Sequence, residues 1–320
     1  MNNLVARAVI IVPLLMLSPF AHAQSAPQPS QSKEHKGIPP ICQGEANRFN
    51  CASARVEGQA DAPAVDFWGR PVSPPATGQK SAPAPRHDIS GIWQVDGSDE
   101  FGFRLLGVFG AGAMPSDGYP EHEPPYTKEG LEAYHRNKPV FGVTAVPAAQ
   151  TNDPLDKFCD PPGFPRDDLH RVESIQILQT PVEVVVLYPR DKHWRAIWAD
   201  GRELPKDPDA TWDGYSAGKW VDDATFVVRT NGTDERTWLD NAGRPHSDAL
   251  RVEERFHRVD HDRLELTVTI DDPKMYTKPW VALDKQAFKL QPPDFSMTET
   301  RCSPSELANY DSLVSTPIVK

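Results

Sequence analysis

Short motifs that announce a reaction are scarce in this chain, and each absence removes a class of function. No Cys-x-x-Cys and no His-Glu-x-x-His occurs, so a motif-bearing zinc site is disfavoured and no metal is expected. No Gly-x-Gly-x-x-Gly or Walker loop occurs either, so nucleotide cofactors have no support and no cofactor is expected. Positive charge is in short supply: 34 Lys and Arg face 45 Asp and Glu, for a formal charge of -11. No basic stripe tracks a phosphate backbone, and a nucleic-acid partner is not expected. No apolar run reaches the roughly 20 residues that a membrane-spanning helix needs.

What is present begins with an export signal. Residues 1–23 combine Arg7, the apolar run from Ala8 to Leu17 and Ala21-His22-Ala23, the A-x-A form that signal peptidase reads. Cleavage is expected before Gln24, leaving an exported chain, periplasmic or secreted, with a formal charge of about -12. The four cysteines, Cys42, Cys51, Cys159 and Cys302, then suit an oxidising compartment. The preferred pairing is Cys42 with Cys51 and Cys159 with Cys302, among the three that four cysteines allow.

With 33 prolines in 320 residues, about twice the usual share of ~5%, long helices are disfavoured. From Gln24 to Arg86 the Pro-, Ala-, Ser- and Gln-rich composition predicts a linker or arm. Residues 87–320 read as one β-rich domain. Strand patterns recur from Ile89 to Val95, Phe103 to Phe109, Val172 to Gln179, Val182 to Tyr188, Trp194 to Ala199, Tyr215 to Val221, Thr225 to Thr230, Leu250 to Val259, Leu264 to Ile270 and Ala287 to Leu290. One short helix is predicted over 127–137, with Thr127 as N-cap and Leu131 and Tyr134 on one face. Hairpins follow at 189–192, at Asp222-Asp223 and at 260–262. The expected fold is all-β, an antiparallel meander closing into a barrel, which removes exposed edges.

Two resemblances bear on this fold. Gly91-Ile92-Trp93 is similar to the G-x-W opening of lipocalin-like (calycin) barrels. That resemblance implies a Trp closing one barrel end and a small apolar ligand inside. The motifs Cys159-Asp160-Pro161, Asp200-Gly201-Arg202-Glu203-Leu204-Pro205, Thr237-Trp238-Leu239-Asp240, Pro245-His246-Ser247-Asp248, Asp271-Asp272-Pro273 and Tyr276-Thr277-Lys278-Pro279-Trp280 together resemble a family of exported bacterial proteins. The second resemblance carries no catalytic residues over to this chain.

Candidate site residues come from the residues themselves. Along Leu250 to Arg258, alternation puts Leu250, Val252, Glu254 and Phe256 on one face. Glu254 is then a carboxylate among apolar neighbours, tuned as an acid or base or else paired with an inward Arg. On the partner strand Leu264, Leu266, Val268 and Ile270 share a face, and the turn length decides whether the two apolar sets meet or Glu254 lies near Thr267. Asp240, His246 and Asp248 crowd one loop, where a carboxylate could orient the imidazole for proton transfer. The competing reading makes Ser247 and Asp248 caps of backbone amides. Trp212, Tyr215, Trp238, Tyr276, Lys278 and Trp280 are the expected wall for a planar or apolar ligand. The leading functional expectation is a carrier of a small apolar or aromatic molecule. Cofactor-independent acid–base catalysis with His246, Asp240, Asp248 and Glu254 is the alternative, and an envelope interaction module is the third.

Overall fold

The computed structural model describes residues 81–96, 116, 118, 120–169, 174–297, 299–310 and 312. The predicted signal, most of the Pro-rich arm, the Cys42–Cys51 pair and the strand expected over Phe103 to Phe109 lie outside the described residues. Nine strands close into a barrel: β1 (Gly91–Val95), β2 (Ser174–Gln179), β3 (Glu183–Leu187), β4 (Trp194–Trp198), β5 (Tyr215–Trp220), β6 (Thr225–Asn231), β7 (Arg251–Arg258), β8 (Arg263–Asp271) and β9 (Trp280–Leu290). Closure comes from β9 pairing antiparallel with β1, Val95 opposite Phe288. The all-β barrel expected from the sequence is therefore present.

It departs from a pure meander at one seam. The β4–β5 pair is parallel and short, joined only at Ile197 with Ser216 and Trp198 with Ala217. A parallel neighbour needs a return crossing of a dozen or more residues, and 199–214 supplies it. The three predicted hairpins stand, and the β7–β8 register opposes Val252 to Ile270, Glu254 to Val268 and Phe256 to Leu266. The turn at 260–262 thus brings the two apolar sets together rather than turning Glu254 toward Thr267.

Strand β9 is longer than its predicted stretch, Ala287 to Leu290. The polar run Asp284-Lys285-Gln286 hid it because the register shifts opposite Leu266 and Val268, and Lys285 takes a left-handed φ of 49°. A bulge absorbs the break in alternation. Four short α-helices occur among the described residues: α1 (Lys128–Arg136), α2 (Pro154–Phe158), α3 (Arg166–Leu169) and α4 (Pro304–Tyr310). In α1, Thr127 Oγ1 accepts from Gly130 N at 3.0 Å, as the N-cap reading required. Its buried face is Gly130, Ala133 and Tyr134, whereas Leu131 is exposed. Gly130 packs so closely that a Cβ there would meet Met275 O at 2.0 Å.

Side chains fill the barrel interior. Trp93, Phe226, Phe256 and Phe288 join the inward aliphatics of β2, β3 and β8 in one core, each such burial contributing about 1.5–3 kcal/mol. Trp93 Nε1 donates to Ile89 O at 3.0 Å, with the Arg258 guanidinium 5.0 Å over its ring. At the other end of the barrel lie the β1–β2 connection, the β3–β4 turn, the approach to β5, and the long β6–β7 and β8–β9 loops. The cystine Cys159–Cys302, with Cα atoms 5.4 Å apart, closes the predicted long-range link at this loop-rich end.

Candidate functional site

Polar groups at the loop-rich end form two clusters. The first caps the barrel and contains most of the residues singled out by sequence. Asp240 accepts from Ala242 N at 2.9 Å and pairs with Arg244 at 2.8 Å. The His246 ring meets Thr237 Oγ1 at 2.8 Å through Nε2, and burial pushes its pKa below the ordinary value. Asp248 is exposed and pairs with Lys274. Ser247 donates to Asp272, which also accepts from Lys274 N. His246, Asp240 and Asp248 thus each turn to a different partner. Tyr276 Oη donates to Pro245 O, its ring edge-on to Trp280. Trp238 is buried beneath Arg166, and Lys278 is exposed.

The second cluster sits where β4 and β5 part. Arg195 points inward from β4 and meets both oxygens of Glu254, on β7, at 2.8 and 2.6 Å. Glu254 is fully buried, so its partner is the inward Arg that the sequence left open. The Phe164 ring lies 3.8 Å beneath the guanidinium. Asp168, from α3, lies 4.0 Å from Arg195 Nη1 and accepts from Tyr188 Oη at 3.2 Å. Among the described residues, Asp168 Oδ2 and Arg195 Nη1 have no hydrogen-bond partner. Burial, reinforced by Glu254, pushes the Asp168 carboxyl well above its usual range. Burial works against the Arg195 charge, but Glu254, Tyr188 and Asp168 together hold its pKa above the ordinary value.

One step outward, His193 Nε2 lies 2.9 Å from Asp167 Oδ2, and its Nδ1 lies 2.8 Å from Arg190 O. The Tyr188 ring stacks on the imidazole at 4.9 Å. Burial opposes the imidazolium, yet the Asp167 contact raises its pKa to about 9. Asp213 completes the group: one ligand-type atom each of Asp167, His193 and Asp213 lies within 4.8 Å of the others. Burial, with repulsion from Asp167, pushes the Asp213 carboxyl up to about 6.

The fold positions these groups through named contacts. Phe164 N donates to Trp212 O, which ties the α3 segment to the β5 approach. Arg166 locks α3 through a buried ion pair with Asp153. The β3–β4 turn carrying His193 is held by the C-terminal segment, where Asp191 N donates to Thr300 O and Cys302 N to Asp191 Oδ1. Because Cys302 is bonded to Cys159 just past α2, one clamp spans both halves of the cluster.

A pocket of about 310 Å³ opens on this seam, lined by Trp194, Trp198, Trp212, Tyr215, Asp213 and Arg195 among others. Two members of the expected aromatic wall, Trp212 and Tyr215, thus share a pocket. Arg202 covers Trp198 at 3.7 Å and Arg236 covers Trp212 at 4.6 Å, each arginine held by an Asp two residues before it. A larger groove of about 610 Å³ crosses the outer faces of β5 to β8. Its charges include the solvated pair Arg229–Glu253, and it holds no comparable group of buried ionisable side chains.

Sequence reasoning passed over two signals. Alternation along Trp194 to Ala199 puts Arg195 on the face of Ile197, the test that found Glu254. Gly214-Tyr215-Ser216-Ala217-Gly218 also has the G-x-S-x-G spacing, but it lies on a strand rather than a strand-to-helix elbow. Ser216 Oγ bonds Thr230 Oγ1 at 2.8 Å. Both glycines have packing reasons: Gly214 takes φ +65°, and a Cβ on Gly218 would meet Phe226 at 2.3 Å. Comparisons with known families, curated proteins and solved structures return no match, so function must be argued from this geometry.

Proposed function

We propose that the protein is an exported, lipocalin-like barrel that binds a small apolar or aromatic molecule at the β4–β5 seam. The observation that carries this reading is the aromatic pocket itself. Its volume of about 310 Å³ lies at the lower end of small-ligand sites, which pair apolar walls with a few placed polar groups. Trp194, Trp198, Trp212 and Tyr215 offer ring faces and Asp213 supplies a polar contact, while the Arg195 guanidinium turns inward to Glu254. Core side chains occupy the barrel interior, so this reading seats the ligand in the wall rather than along the axis.

Export is supported by the Cys159–Cys302 cystine, which persists where thiols are oxidised. The catalytic alternative requires His246, Asp240, Asp248 and Glu254 to converge on one reacting atom, and their separate partners give it no support. An interaction module would need an exposed apolar patch rather than a pocket.

Native mass spectrometry of the full chain purified from its host, followed by extraction, tests the proposal. The expected result is a retained small aromatic molecule that quenches tryptophan fluorescence on re-addition and is lost in Trp212→Ala. A ligand retained equally by Trp212→Ala, or an empty protein that binds nothing from a host metabolite extract, would overturn it.

A further inference from the structure

Asp167, His193 and Asp213 come from α3, the β3–β4 turn and the approach to β5, three segments that only the fold brings together. Their ligand-type atoms lie within 4.8 Å of one another. A tetrahedral ion with bonds of about 2.0–2.1 Å holds its ligands roughly 3.3 Å apart, so small side-chain rotations complete the geometry. We propose that these three residues bind one divalent transition-metal ion of the Zn²⁺ type in the wall of the seam pocket.

Three features beyond proximity support this assignment. The His193 Nδ1 contact with Arg190 O at 2.8 Å orients the ring and leaves Nε2 facing the carboxylates, the arrangement in which metal-binding histidines use a backbone carbonyl to set tautomer and direction. Tyr188 stacks on the same ring and fixes its plane. The Asp213 carboxylate has no hydrogen bond and no ion pair within 4.0 Å among the described residues, although it lies within 4.8 Å of the ligand-type atoms of both Asp167 and His193. Two carboxylates held together around one histidine repel each other, and a divalent cation offsets two negative charges where an imidazolium offsets one.

The donor set narrows the ion. One imidazole and two carboxylates suit Zn²⁺ or Mn²⁺ better than a soft ion such as Cu(I), which prefers sulfur. Three protein ligands leave a fourth position for water or for a ligand oxygen. Asp213 also lines the aromatic pocket, so a planar molecule bearing an anionic oxygen is the ligand class that fits both parts. This last step rests on the ligand-binding reading; the metal assignment does not.

The test uses the full chain after dialysis against a chelator, titrated with Zn²⁺ in a calorimeter and with Co²⁺ in a visible spectrometer. One Zn²⁺ per chain is expected. Asp213→Asn, close in shape to the native side chain, should weaken binding at least tenfold and remove the Co²⁺ visible bands. His193→Gln should do the same, with circular dichroism verifying its fold; if it fails to fold, Asp213→Asn decides. The exposed control Asp284→Asn should bind as the wild type does. No binding, or binding that survives in Asp213→Asn, overturns the assignment. Trp212→Ala should retain Zn²⁺ even if it loses the aromatic ligand, so the two proposals fail separately.

Discussion

The two polar clusters at the loop-rich end share residue types, yet they differ in charge balance. In the cap, buried charges are matched in pairs: Asp240 with Arg244, and Asp153 with Arg166. Asp272 is satisfied by Ser247 and by backbone amides. At the seam, four acids (Asp167, Asp168, Asp213 and Glu254) face two bases, Arg195 and His193. An excess of acid in a buried or half-buried wall costs stability unless the carboxyls take up protons or something else is bound. A matched network reads as architecture, and an unmatched one in a pocket wall reads as a site.

The sharpest ways to break this comparison are substitutions with opposite expected signs. Arg244→Met strands Asp240 in the cap and should cost about 3–5 kcal/mol in a denaturant titration. Arg195→Met should cost a similar amount, and adding Glu254→Leu should recover most of it by removing the stranded carboxylate. If the double variant stays as unstable as the single one, Glu254 is not the main partner of Arg195.

Replacing Cys159 and Cys302 by Ser should cost about 2–5 kcal/mol, the usual range for losing a cystine. The seam should suffer more than the cap, and hydrogen exchange should show its largest change at 188–195. Equal loosening at 237–247 would mean that the clamp does not act on the seam.

Asp213→Asn, measured in chelator, should instead stabilise the protein by about 1 kcal/mol or more at pH 7. A carboxyl raised from 3.8 to about 6 destabilises the fold only once pH exceeds its unfolded value. The gain should therefore vanish below the unfolded value of 3.8 and level off about one pH unit above the folded value of about 6. A loss of stability at pH 7 would place Asp213 with the architectural acids.

The smallest expected effects concern the two histidines, which should respond oppositely to pH. His193 is raised to about 9, so its contribution is present below about 6.5 and declines as pH climbs toward 9. His246 is lowered by burial, so its cost grows as pH falls below about 6.5. His193→Gln should flatten the alkaline limb of a Tm-against-pH curve, and His246→Gln the acid limb. A single limb shared by both variants would dissolve the distinction.

Much of the barrel was legible because strands write their faces into alternate positions. Leu264, Leu266, Val268 and Ile270 specify an inward face without reference to any partner, and Glu254 stands out against its own strand for the same reason. The parallel seam was hidden, because Trp194 to Ala199 and Tyr215 to Val221 look alike whether they run parallel or antiparallel. The metal cluster was hidden more deeply. Asp167, His193 and Asp213 follow no shared period, and their proximity depends on Phe164 meeting Trp212 and on a turn held by residues near 300. Crowding along the chain instead drew attention to His246 and its neighbouring aspartates, which the fold turns apart.

The cystine also sets a timetable. Its two halves are separated by 143 positions, and at 5–20 residues per second roughly 7–29 s of synthesis divide them. Until Cys302 has been made and oxidised, the clamp cannot hold α2 and the β3–β4 turn together, however early Asp167, His193 and Asp213 have been translated. The seam is therefore finished late and only where thiols can be oxidised. A ligand or ion met earlier by the nascent chain would find its donors unassembled.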